Sequence, residues 1–186
     1  MRKEKQDLRY IKTEKAIQKA FHELLQEKTL QKITVKEIAE RAEINKTTFY
    51  AHYETLPDLI DHLESEYVEY IVANLDQVQV LFEDSDRFIE NLYKNLQDSK
   101  INSISKNGTV SQRFIDLLSR SLQEEMKAKN INANQYRHIE TLLVFIVHGI
   151  LGVVQTEEEH PEKLAHIQQF VKNGLGQIPE KLINQC

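Results

Sequence analysis

Lys46, Thr47 and Thr48 follow an asparagine, Asn45, whose side chain is well suited to cap a helix. On the first turn of such a helix, lysine donates to guanine O6 or N7. Threonine donates, accepts or touches a thymine methyl. The free N–H groups of the same turn favour a phosphate. Tyr50 and His52 project from the same segment, beside the apolar Phe49 and Tyr53. These residue types at this spacing are suited to reading nucleic acid.

The elements that would hold them are legible upstream. Ile33, Ile38, Ala39, Ala42, Ile44, Phe49 and Tyr53 form an apolar set whose spacing breaks once, between Ala42 and Ile44. Thr34 has an N-cap side chain, and Glu37, three residues on, completes a capping box. The pattern predicts two short helices around a turn, the second opening on a polar, positive first turn. That geometry enters a major groove. The charge distribution agrees: residues 1–53 hold 12 Lys/Arg against 8 Asp/Glu, whereas residues 54–186 hold 12 against 21. The positive charge therefore sits with the motif although the whole chain carries −5. Arg2, Lys3, Lys5, Arg9 and Lys12 add a basic arm able to contribute salt-dependent affinity.

With 3 prolines, 5 glycines and no useful β-like alternation, the expected fold is all-α. Helices are predicted over about 13–27, then the motif pair, then a long helix begun by a Thr55/Asp58 capping box. Its stripe of Leu59, Leu63, Tyr67, Ile71, Leu75, Val78 and Phe82 suggests about 26 residues, a rod ~40 Å long. Further helices are expected over about 86–97, 110–129, 133–155 and 161–173. Polar segments at 98–109 (with Asn107-Gly108), 130–134 and 157–161 separate them, and a short turn is expected after Pro179. The domains expected are a DNA-binding head over 8–66 and a helical body over 67–186.

The segments Thr34-Val35-Lys36-Glu37-Ile38-Ala39, Thr48-Phe49-Tyr50-Ala51-His52-Tyr53 and Asp58-Leu59 resemble the TetR family of transcriptional regulators over roughly residues 9–66. The C-terminal part bears a weaker likeness to regulators of dihydroxyacetone kinase operons. The resemblance implies double-stranded DNA as a partner, and regulation and dimerisation as the tasks of residues 67–186. It also implies that Thr34 and Lys36 contact phosphate or a flanking base, and that Tyr50 and His52 reach the DNA backbone. A homodimer through about 133–175 is implied too. Gly149 and Gly152, each about 1 kcal/mol poorer than Ala in a helix, would permit that close approach; packing within one subunit is the alternative. The family further implies a small apolar effector, and Tyr67, Phe88, Tyr93, Phe114, Phe145 and His148 are candidates to line its pocket, although residues of these types at such positions are more often plain core. Two departures stand out. Glu43 occupies a turn position where the family favours Gly or another small residue, and Leu56 stands where it often has a phosphate-binding Lys.

Other classes are poorly supported. Asp58, His62 and Glu66 share a helical face, a spacing a metal could use, but a solvated charged face is the simpler reading. There is no phosphate-cradling glycine loop, CxxC, HExxH or GxSxG pattern. No catalytic residue, metal or cofactor is expected. The single Cys186 and the charged start MRKEKQDLRYIK suit a cytoplasmic protein with no membrane partner. The expected function is a homodimeric repressor of a palindromic operator, released by an effector. A co-regulator working mainly through protein contacts is the alternative that Leu56 and Glu43 favour.

Overall fold

The computed structural model describes residues 2–75, 80–97, 111–128, 133–154 and 161–176, with side chains over 8–75, 80–97, 111–128, 141–154 and 162–173. The expected polar segment at 98–109, the corner at 157–160 and the turn after Pro179 lie outside these residues. So does most of the break at 130–134. Among the described residues the fold is all-α, with no strand. No described helix is long and apolar enough to cross a membrane.

The chain runs α1 (Arg2–Glu27), a 3-10 turn (Leu30–Lys32), α2 (Val35–Arg41), α3 (Lys46–His52) and α4 (Leu56–Asn74). After residues 76–79 come α5 (Val80–Glu83) and α6 (Ser85–Leu96), then α7 (Gln112–Ala128), α8 (Ala133–Val154) and α9 (Pro161–Gly176). Two compact units result, and the division falls inside α4, between Glu66 and Tyr67.

Two sequence expectations need correction. α1 starts near residue 2 rather than 13. Periodicity reports burial, and Leu8, Tyr10 and Ile11 are exposed, so no apolar stripe marks this stretch. Its Lys, Arg, Glu, Gln and Leu content still favours helix. The predicted 26-residue rod is instead a 19-residue α4, with Phe82 exposed on the separate α5. Near its end the Asn74 amide donates to the Tyr70 carbonyl oxygen (2.8 Å), the kind of side-chain bond that competes with helix continuation. Apolar spacing carried across the break because both helices bury apolar residues.

In the first unit, Ile17, Ala20, Phe21, Leu24 and Leu25 of α1 join Ile38, Ala39, Phe49, Leu59 and Leu63 in a closed core. In the second, α6 packs against α8 and α9, and α8 also packs against α7. Phe88, Leu92, Phe114, Leu118, Leu122, Ile146, Val147 and Ile150 are buried there.

Candidate nucleic-acid interface

The start of α2 is locked by the expected capping box. Thr34 Oγ1 accepts from the Glu37 N–H (3.4 Å), while Glu37 Oε2 accepts from the Thr34 N–H (3.0 Å). The Thr34 hydroxyl also donates to Glu37 (2.8 Å). Lys28 pairs with the same carboxylate. That pairing first, and the Thr34 bonds next, hold the Glu37 carboxyl at about 2, below its ordinary 4.5. At the other end of α2, the Arg41 guanidinium forks onto Glu27 of α1 (2.7 and 2.9 Å), a geometry that fixes orientation as well as charge.

The turn into α3 is a Schellman motif. Ile44 N–H donates to Ala39 O (2.9 Å) and Glu43 N–H to Glu40 O (3.2 Å), satisfying carbonyls that the helix end leaves open. Glu43 occupies the left-handed position at φ 56. Asn45 then caps α3, with Oδ1 accepting from the Thr48 N–H at 2.7 Å. Phe49 is fully buried beneath the helix, so its opposite face must point outward.

The candidate DNA-reading residues divide by availability. Lys46 and Thr47 are exposed and, among the described residues, have no hydrogen-bond or ion-pair partner. Tyr50 is 52% exposed, with its ring edge-on to Phe49. Thr48 is half-buried and its hydroxyl donates to Asn45 (2.8 Å), so it serves the cap. The Thr34 hydroxyl is similarly engaged in its box, although the residue is exposed. Lys36 is exposed and loosely paired with Glu40 at 3.7 Å. His52 departs from expectation: it is half-buried, its ring stacked on Tyr10, and burial lowers its pKa against an opposing pull from Glu14. Leu56, at the start of α4, is half-buried.

Behind α3, a polar cluster joins three helices. The Tyr53 hydroxyl donates to Glu14 (3.5 Å), and His62 Nε2 lies 3.4 Å from Glu66 and 3.8 Å from Glu14. Gln18 donates to Glu66 at 2.9 Å. Burial, then the Glu14 charge, pushes the Tyr53 phenol up. Asp58, the third member of the sequence-level carboxylate/histidine face, instead closes the α4 capping box with Thr55 (2.8 Å). Among the described residues, no group of three or more His, Cys, Asp or Glu could hold a metal.

The six candidate effector-lining residues do not share one environment. Tyr67, Phe88 and Phe114 are buried, and Tyr93 is half-buried. Phe145 and His148 lie on the outer face of α8. Phe145 is 43% exposed and pairs with Phe170 of α9 at 4.8 Å, and the His148 Nδ1 sits 2.8 Å from Val144 O. A helix apolar around its circumference hides which stripe faces inward, so the sequence could not separate these two from the core. It also missed Ser119, buried in α7 with no hydrogen-bond partner for its hydroxyl among the described residues.

Residues 17–63, from mid-α1 through the first part of α4, match the tetR family of bacterial regulatory proteins. The head is that of a TetR-family regulator. It is a DNA-binding, helix-turn-helix transcription-regulator domain. A solved structure described as the dihydroxyacetone kinase operon activator DhaS is 16% identical. It covers 88% of this chain and 96% of that one, with a TM-score of 0.62. At that identity the likeness concerns the fold alone. No curated protein matches the chain.

Proposed function

We propose that this TetR-type chain is a homodimeric repressor, binding a palindromic operator through residues 8–66 and released by a small apolar effector held in residues 67–186. The observation that carries the DNA reading is the Asn45-capped first turn of α3, which leaves Lys46 and Thr47 exposed and unengaged. Lys46 and Thr47 read base edges, and Tyr50 and His52 contact the backbone. Lys36 at the start of α2 adds a phosphate contact, while Thr34 and Thr48 hold the two helix starts in shape.

Dimerisation is supported by the outer face of α8. Thr141, Val144, Phe145, His148 and Gly152 recur there at helical spacing and are exposed, with Phe170 of α9 alongside Phe145. The two glycines differ. A Cβ on Gly149 would meet Ile167 of the same chain at 3.3 Å, whereas one on Gly152 would meet nothing within 4 Å. Close approach within the chain accounts for Gly149, and a partner copy accounts for Gly152. A two-fold dimer places two recognition helices on half-sites about one helical turn apart. For the effector, Ser119 supplies an unsatisfied hydroxyl in an otherwise apolar interior, together with Tyr67, Phe88, Tyr93 and Phe114. An effector represses DNA binding only to the extent that it binds the released state more tightly.

The test is selection of duplexes from a random pool by the full-length protein, followed by gel shift. A two-fold symmetric site is expected, and Lys46→Ala should weaken it about tenfold or more while relaxing one base position. Sequence-independent retention would refute direct reading and leave the reading through protein contacts. A reporter carrying the selected site should fall when the protein is supplied. A rise would instead make it an activator, the sense in which DhaS is described.

A further inference from the structure

Tyr10 lies in α1 before the segment that matches the family, and nothing in the helix-turn-helix pattern calls for it. Its ring nonetheless stacks on His52, in the last turn of the recognition helix, with centroids 3.9 Å apart and planes 27° from parallel. The stack covers one face of the imidazole, whose Nδ1 is buried and has no hydrogen-bond partner among the described residues. Leaving such a nitrogen unsatisfied opposes folding, so the ring contact must contribute enough to offset it. Tyr10 itself stays 46% exposed, so it covers His52 without being absorbed into the core. Its neighbours Arg9 and Lys12 are also exposed. Stacking therefore ties a solvent-facing, basic part of α1 to the far end of the helix that reads DNA.

We propose that Tyr10 is a positioning residue for DNA binding, clamping the His52 imidazole at one orientation so that Nε2 meets a backbone phosphate. The inference rests on the reading that α3 enters the groove. A clamped ring loses no rotamer freedom on binding, which is the advantage of preorganisation. The groups facing His52 are Tyr10 and Glu14 from α1 and Tyr53 beside it, with His62 and Glu66 of α4 one residue further out. Burial lowers the His52 pKa, and Glu14 pulls the other way.

The experiment uses the full chain and a duplex selected by it, with affinities measured across a salt series. Tyr10→Ala and His52→Ala should each weaken binding about three- to tenfold, and the double variant no further than the worse single. Tyr10→Phe, which keeps the flat ring, should bind like the parent. By NMR, Tyr10→Ala should raise the His52 pKa toward its ordinary 6.5. If the alanine variant melts early, Tyr10→Leu keeps apolar area without a stacking face and should show the same binding loss. Parent-like binding by Tyr10→Ala, losses that add in the double variant, or failure of Tyr10→Phe would each overturn the proposal while Lys46→Ala still reports direct reading. If the parent selects no duplex, the DNA reading and this inference fail together.

Discussion

Replacing Glu43 with glycine should stabilise the head. Glu43 is the only non-glycine residue at positive φ among those described, at 56°, and it sits where the Schellman turn needs a left-handed residue. For a residue with a Cβ, that conformation costs roughly 1–2 kcal/mol. Glycine removes this cost but gives the unfolded chain more freedom, which takes back about 0.4–1 kcal/mol. The expected gain is therefore about 0.5–1 kcal/mol, because Glu43 is exposed and no described ion pair or side-chain hydrogen bond is lost with it. If the head melts alone, 1 kcal/mol raises its midpoint by about 4–8 °C; melting with the body, by about 2–4 °C. Scanning calorimetry of Glu43→Gly, Glu43→Ala and Glu43→Val checks the mechanism. Alanine should resemble the parent, and valine, whose branched side chain tolerates this conformation least, should fall below it. Equal midpoints for glycine and alanine would show that the turn stores no strain.

Gly152→Arg should leave the helical signal intact and convert a dimer to a monomer in light scattering, because the glycine faces open space in the single chain; a dimer that survives would remove α8 from the interface. Ser119→Ala should be neutral or stabilising by up to about 1 kcal/mol in denaturant melts, since the buried hydroxyl has no partner to lose. Glu37→Gln should be less stable than the parent at pH 7. Because Lys28 and Thr34 hold the folded carboxyl near 2 against an ordinary 4.5, this advantage is present above about 4.5 and lost as pH falls toward 2. The two melting curves should therefore converge on acidification, and a gap that persists at pH 2 would refute the assignment.

The elements of the head were legible because they are specified locally. Thr34/Glu37, Asn45 and Thr55/Asp58 each place a hydrogen-bonding side chain three residues from its target, and all three caps form as read. The same locality misled at α4, where apolar spacing ran past Asn74 into a second helix. The first three turns of α1 were invisible for the converse reason: they are helical by propensity, and their apolar residues face solvent. Contacts between distant residues, such as Tyr10 on His52 or Gln18 on Glu66, leave no trace in spacing.

Which residues are left to read DNA follows from an accounting the sequence could not make. A threonine at the start of a recognition helix looks equally able to cap and to contact a base, and only the hydrogen bonds decide. Thr48 and Thr34 commit their hydroxyl protons to Asn45 and Glu37, so each must give up that hydrogen bond to donate to a base or phosphate. Losing such a bond costs about 0.5–1.5 kcal/mol, comparable to the discrimination a single base contact supplies. Under the proposed function, base discrimination therefore falls on Lys46 and Thr47. Thr47→Ala should change which duplexes are selected, whereas Thr48→Ala should slightly lower the melting temperature and leave the selected sequence unchanged; the opposite pattern would mean that the Thr48 hydroxyl swings from Asn45 onto DNA.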